Sequence, residues 1–320
     1  MSDYFPPLET ATQESLGSFS ALSAQFGLPI AAVPATSTMA TYLVDERRFP
    51  HPLVEYPAGA PTEHLALLTP GEVPTLLSHA ATADGVVVDS TTHDGFTLAH
   101  AAALFGKLAA LRTLPVITSV TSKNMTCLHA ASLGGHLDVV AHLVGVKKEL
   151  VDVVDNDGST SLHFASYYGH LGVVAHLVGV KKELVDAVTN NGCTSLHFAS
   201  HQGHLGVVAH LVGVKNELVD AVDNDGATSL HYASQQGHLG VVAHLVGVKN
   251  ELVDAVTNDG WTSLHYASYY GHLDVVAHLV GVKKELVDAV TNNGETSLHL
   301  ASSEGHLDVM TFLTERSWEK

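Results

Sequence analysis

Histidine offers this chain more chemistry than any other residue type. Of its 320 residues, 23 are histidine, and imidazole is both a proton carrier near neutral pH and a common metal ligand. His163, His170 and His176 have equivalents 34 residues before and after them. Equivalent side chains on successive packed helices would stand ~8–10 Å apart, whereas two ligands that each lie ~2.0–2.1 Å from one zinc ion are close neighbours. Such a ladder is not expected to share metals. The string Asp155-Asn156-Asp157-Gly158 begins like a calcium loop, but Ser166 holds the twelfth place, where a bidentate glutamate is needed. The two cysteines, Cys127 and Cys193, occupy different places in the recurring pattern and have no acid or base of their own. The sequence therefore predicts no catalytic residue, no metal and no cofactor.

The elements that carry these residues follow from composition and period. Hydrophobic residues make up 46% of the chain and charged residues 15%, which is enough apolar surface for a packed core. The formal net charge of −18, from 33 acidic and 15 basic residues, argues against a nucleic-acid binder, which needs clustered Lys and Arg. It favours encounter with a basic partner. No apolar run approaches the ~20 residues that span a bilayer, so no membrane insertion is expected. Two cysteines are too few for a disulfide framework, and the N-terminal MSDYFPPLETATQESLG is acidic where a secretory leader is basic. An intracellular, cytoplasmic protein is expected, with the nucleus left open, and a monomer.

Leu-His recurs at residues 128, 162, 196, 230, 264 and 298, each 34 residues after the last, with a shorter copy, DGFTLAHAAALFG, from Asp94 to Gly106. Within the unit 156–189, Asn156-Asp157-Gly158 reads as a hairpin tip. Thr160 caps a helix from Ser161 to Tyr168 with Leu162 and Ala165 on one face, and Gly169 ends it in a left-handed conformation. Leu171, Val174, Leu177 and Val178 predict a second amphipathic helix that ends near Gly179. Helices this short do not persist alone, so stacking of neighbouring units must supply the stability.

The turn, the TSLHFAS segment, the Gly-His-Leu step and the Val-rich second helix resemble the ankyrin repeat over about residues 94–320. The resemblance implies an all-α solenoid of stacked antiparallel helix pairs. Two features depart from the family pattern. Ser161, Ser195, Ser229, Ser263 and Ser297, with Cys127, stand where proline is usual. The period is one residue longer than the usual 33, and the excess lies in KKELVDAV, where Leu184 and Val185 predict an extra apolar plug between units. The repeats are bounded at 93–121, 122–155, 156–189, 190–223, 224–257, 258–291 and 292–320. A degenerate cap is expected at 62–92, behind a proline-containing segment, 1–61, of no assigned role. Glu315, Arg316, Glu319 and Lys320 would make the last face polar.

The near-identical copies differ at few places. The residue after the turn glycine reads Met125, Ser159, Cys193, Ala227, Trp261 and Glu295, with Asn124 in the glycine's place in the first. That spread is read as a position facing solvent or a partner. The residues closing the first helix vary as well: Leu133 and Gly134, Tyr167 and Tyr168, His201 and Gln202, Gln235 and Gln236, Tyr269 and Tyr270, Ser303 and Glu304. The resemblance implies that these positions, with the hairpin tips, line the concave face that contacts partners. Phe164, Phe198, Tyr232 and Tyr266 form a second aromatic column, read as packing. The TxLH histidines, among them His163, His197, His231 and His265, are implied to be structural, and His176, His210, His244 and His278 are expected to be partly exposed on the second helix.

The leading expectation is a non-enzymatic scaffold or adaptor that holds a protein partner on this face. Two alternatives stand beside it: a docking or regulatory activity carried by the N-terminal segment for an enzyme complex, with the array targeting it, or a self-associating rod.

Overall fold

The computed structural model describes residues 97–114 and 118–318. These fall into two compact units, divided after Cys127. The expected segment 1–61 and cap 62–92 lie outside the described residues, as do Glu319 and Lys320.

In the first unit, α1 (Leu98–Leu104) and α2 (Leu108–Thr113) are joined through Gly106. Thr97 Oγ1 accepts from the His100 N–H, and His100 Nδ1 accepts from the Thr97 N–H at 3.2 Å. A ring nitrogen that accepts leaves the other to donate, and His100 Nε2 meets the Met125 carbonyl at 3.0 Å.

The second unit repeats this device in longer form. Its first helices are α3 (Cys127–Gly134, which begins at the unit boundary), α5 (Ser161–Tyr167), α7 (Ser195–His201), α9 (Ser229–Gln235), α11 (Ser263–Tyr269) and α13 (Ser297–Glu304). Each begins at the residue that stands where proline is usual in the family. The second helices are α4 (Leu137–Val146), α6 (Leu171–Val180), α8 (Leu205–Val214), α10 (Leu239–Val248), α12 (Leu273–Val282) and α14 (Leu307–Trp318). Five 3-10 turns follow α4, α6, α8, α10 and α12: Lys148–Asp152, Lys182–Asp186, Asn216–Asp220, Asn250–Asp254 and Lys284–Asp288. All the helices among the described residues thus fall into pairs, as the repeat pattern predicts.

First helices pack on first helices, from α5 through α13, and second helices on second helices, from α4 through α14. The Leu-His leucines Leu128, Leu162, Leu196, Leu230 and Leu264 are fully buried, facing Val-rich helices whose Val173, Val174, Leu177 and Val178 are buried too. Two details of the predicted second helix change. Val173 takes the core place expected of Leu171, which is 43% exposed at the first helical position and lies beside the small Gly206 of the next repeat. Gly179 sits inside the last turn, and the helix ends at Val180. The plug is present: Leu184 and Val185 are buried inside their 3-10 turn.

The array is hydrogen-bonded at fixed sequence offsets, first within each repeat and then between neighbours. His163 Nε2 meets the carbonyl of Ala187, and His197, His231 and His265 do the same to Ala221, Ala255 and Ala289, all at 3.1 Å. A second set runs the other way, 37 residues back: His170, His204, His238, His272 and His306 donate Nε2–H to Leu133, Tyr167, His201, Gln235 and Tyr269 carbonyls at 2.9 Å. Their rings sit on the step glycine of the preceding repeat. A Cβ on Gly135, Gly169, Gly203, Gly237 or Gly271 would lie 2.4–2.6 Å from the ring, and all five have φ between +73° and +77°. Only glycine satisfies both demands. At the hairpin tips, Asn190, Asn224, Asn258 and Asn292 each donate Nδ2–H to the asparagine carbonyl 34 residues back, at 2.9–3.0 Å.

Candidate partner-binding face

The residue after each turn glycine is held by its backbone. Its N–H donates to the side chain four residues earlier: Met125 to Thr121, Ser159 to Asp155, Cys193 to Thr189, Ala227 to Asp223, Trp261 to Thr257 and Glu295 to Thr291. These acceptors are themselves buried. The side chain borne by this strap differs in every copy, and variation was expected to mean exposure. The structure corrects that. Cys193 is 0% exposed, Ser159 2% and Ala227 7%, and Met125 is likewise buried. Only Trp261 and Glu295 are half-buried.

A buried polar cluster surrounds Cys193. Its Sγ lies 3.8 Å from the Tyr232 hydroxyl, which donates in turn to Asp223. Burial pushes the Cys193 thiol up to about 12 and raises the Tyr232 phenol as well. A thiol so strongly protonated is a poor nucleophile. Cys127 is buried in the same state, and neither cysteine is bridged.

The residues closing the first helices divide into two columns. The inner one is more covered than expected, with Tyr167 8%, His201 5% and Gln235 7% exposed, while Tyr269 is half-buried. The outer column, Tyr168, Gln202, Gln236 and Tyr270, is half-buried throughout. The columns are wired across repeats. Gln202 and Gln236 place their side-chain amides 3.3 and 3.0 Å from the two ring nitrogens of His201, and Gln235 Nε2 donates to the Tyr270 hydroxyl at 3.2 Å. Burial pushes His201 down to about 3, so the ring is neutral and offers one donor and one acceptor. One of the two amides must therefore turn its oxygen toward it.

The aromatics gather at two places. Tyr167 and Tyr168 meet edge-on at 5.0 Å between centroids, and Tyr168 stacks on His170. In the repeat 258–291, Trp261 lies 4.9 Å from Tyr266 and 5.6 Å from Tyr269, and Tyr269 meets Tyr270 at 5.0 Å. The column read as packing behaves so for Phe164, Phe198 and Tyr232, whereas Tyr266 is half-buried beneath Trp261.

The histidines that open the first helices and those after the step glycines are occupied as structural groups. Burial holds His163, His197 and His231 down at about 4. His176, His210, His244 and His278 are half-buried on the second helices, with Nε2 shielded from solvent. Among the described residues, no three His, Cys, Asp or Glu side chains come together to hold a metal ion, and no helix is long and apolar enough to cross a membrane.

The wiring between the closing columns could not be read from the sequence, because the links that cross repeats join residues 35 apart whose types change from copy to copy. The exposure pattern of the strap position was hidden for a related reason: its backbone bonds are independent of side-chain type.

A family model described as ankyrin repeats (3 copies) matches residues 73–186, 162–254 and 245–319. The comparison with curated proteins finds no match.

Proposed function

Since the chain belongs to the ankyrin-repeat family, we propose that it is a scaffold or adaptor that holds a protein partner along the outer closing column Tyr168, Gln202, Gln236 and Tyr270, with Trp261, Tyr269 and Glu295 beside it. Ankyrin repeats are in general protein–protein interaction modules, typically without enzymatic activity. One observation carries the reading. In a chain whose copies are otherwise nearly identical, the outer column is both variable and accessible, whereas the strap position is variable but mostly buried. Tyrosine and tryptophan are also the side chains most often found to dominate interfaces. Ser159, Tyr167, Cys193, His201, Ala227 and Gln235 then serve as the support beneath this face and do not make the contact themselves. Two free, buried thiols support work in a reducing, intracellular compartment.

The test replaces Tyr168, Gln202, Gln236 and Tyr270 together by alanine. The protein species retained from cell lysate by the wild-type chain should be lost, while unfolding stays cooperative at a somewhat lower temperature because buried His201 and Gln235 lose their partners. Retention of the same species by the variant refutes the assignment.

A further inference from the structure

The two aromatic clusters differ in what surrounds them. One repeat beyond Tyr167 and Tyr168, the equivalent places hold the neutral His201 and Gln202. One repeat beyond Trp261 and Tyr270 they hold carboxylates: Glu295 follows Trp261 by 34 residues and Glu304 follows Tyr270 by 34. The helices α11 and α13, whose ends these four residues form or flank, pack directly together. Asp259, exposed at the hairpin tip two residues before Trp261, adds a third carboxylate. Glu295 is half-buried and Glu304 exposed.

The stretches of chain that carry the patch contribute no lysine or arginine of their own. Neither Lys nor Arg occurs from Asn250 to Val282 or from Glu285 to Glu315. Lys249 and Lys283 are engaged in ion pairs with Asp220 and Asp254 at the 3-10 turns. Burial first, and then the nearby carboxylates of Asp259 and Glu304 among other groups, push the Tyr266 and Tyr270 phenols up. The cluster is thus a partly open set of ring faces and edges, negatively rimmed, on a chain whose net charge is −18.

We propose that Trp261, Tyr269 and Tyr270, rimmed by Asp259, Glu295 and Glu304, form a receptor for an arginine or lysine side chain carried on a basic segment of the partner protein. The cation would lie over the rings, where the quadrupole attracts it, and its N–H groups would reach the carboxylates. Gln235 holds the Tyr270 hydroxyl and so fixes the ring that closes the patch. This deepens the proposed function and rests on that same face being the one that receives the partner.

The experiment uses the full chain with Trp318→Phe, which leaves Trp261 as the sole tryptophan of the original two, and titrates it with an octa-arginine peptide at low ionic strength. The expected result is a saturable change in Trp261 emission. Affinity should fall tenfold or more in Tyr270→Ala and in the double variant Glu295→Gln with Glu304→Gln. It should be unchanged in the double variant Asp152→Asn with Asp186→Asn, which removes two carboxylates elsewhere. Tyr270→Phe, which keeps the ring, should retain binding, and that separates recognition from misfolding. Equal affinity across all variants would mean diffuse attraction to an acidic chain and would overturn the proposal, as would no binding at all. If the peptide fails while the four-alanine variant still loses its partner, only the cationic chemistry falls. If that variant keeps every partner, the face itself is wrong.

Discussion

At Cys193 the peptide N–H is tied to Thr189, and the same strap holds Trp261 to Thr257. A thiol and an indole therefore occupy one backbone position, the first packed inward and the second half out. Histidine shows the opposite case, a side chain used identically in every copy. His163, His197 and His231 are held near 4, against an ordinary value of 6.5, because burial disfavours the charged ring. The sign follows. Between those values the unfolded chain binds protons that the folded chain refuses, so stability is full above pH 6.5 and is lost as pH falls toward about 4. The urea midpoint should drop steadily across that window, with the uptake of about three protons or more on unfolding; a flat profile would exclude the burial described. Gly203→Ala should cost at least ~1–2 kcal/mol for the left-handed backbone alone. Its Cβ would also stand 2.5 Å from His238 Nδ1, breaking the bond of that ring to the His201 carbonyl. Chemical denaturation measures the loss.

The elements were largely legible in the sequence because their determinants are local. Thr160 and His163 cap α5 within one turn, Gly169 ends it, and the 34-residue spacing of Leu-His sets the register. Leu171 was misplaced because helical periodicity alone does not say that the first residue of α6 projects past the core, over Gly206. The closing columns were legible as variable but not as layered, since Tyr167 and Tyr168 are adjacent in sequence yet differ in cover. The 3-10 turns separate packing from charge cleanly. Leu184 is buried, whereas the Lys181 ammonium pairs with Asp152 at a site where both side chains are more than a third exposed. Leu184→Ala should destabilise by ~2–5 kcal/mol, and Lys181→Ala by less than ~1 kcal/mol after solvent screening. Comparable losses in the two variants would mean that the ion pairs hold the array more than the plug does.

Within the second unit the side-chain bonds that recur between repeats span 29, 34 or 37 residues, at or near the repeat period, so they join each repeat to its immediate neighbours. Removal of residues 224–257 would join Asp223 to Asn258 and restore every joint: Asn258 would inherit the bond of Asn224 to Asn190, His272 that of His238 to His201, and Lys283 that of Lys249 to Asp220. Such a chain should keep its helicity per residue by circular dichroism and unfold cooperatively at a lower midpoint, as expected of a nearest-neighbour array. Removal of residues 224–240 instead, half a period, should abolish the cooperative transition, because α8 would then be followed by a truncated helix with no partner in register. If both deletions behave alike, the joints do not set the register.

The backbone strap has one more result. Because the peptide N–H anchors the position after each turn glycine whatever side chain it bears, a point mutation there alters the packing beneath the face, or at Trp261 and Glu295 the face itself, while leaving the backbone bolted in place. Copies descended from one ancestral unit would thus be free to drift apart in taste without drifting apart in architecture, and the six different residues at that site are what such freedom leaves behind.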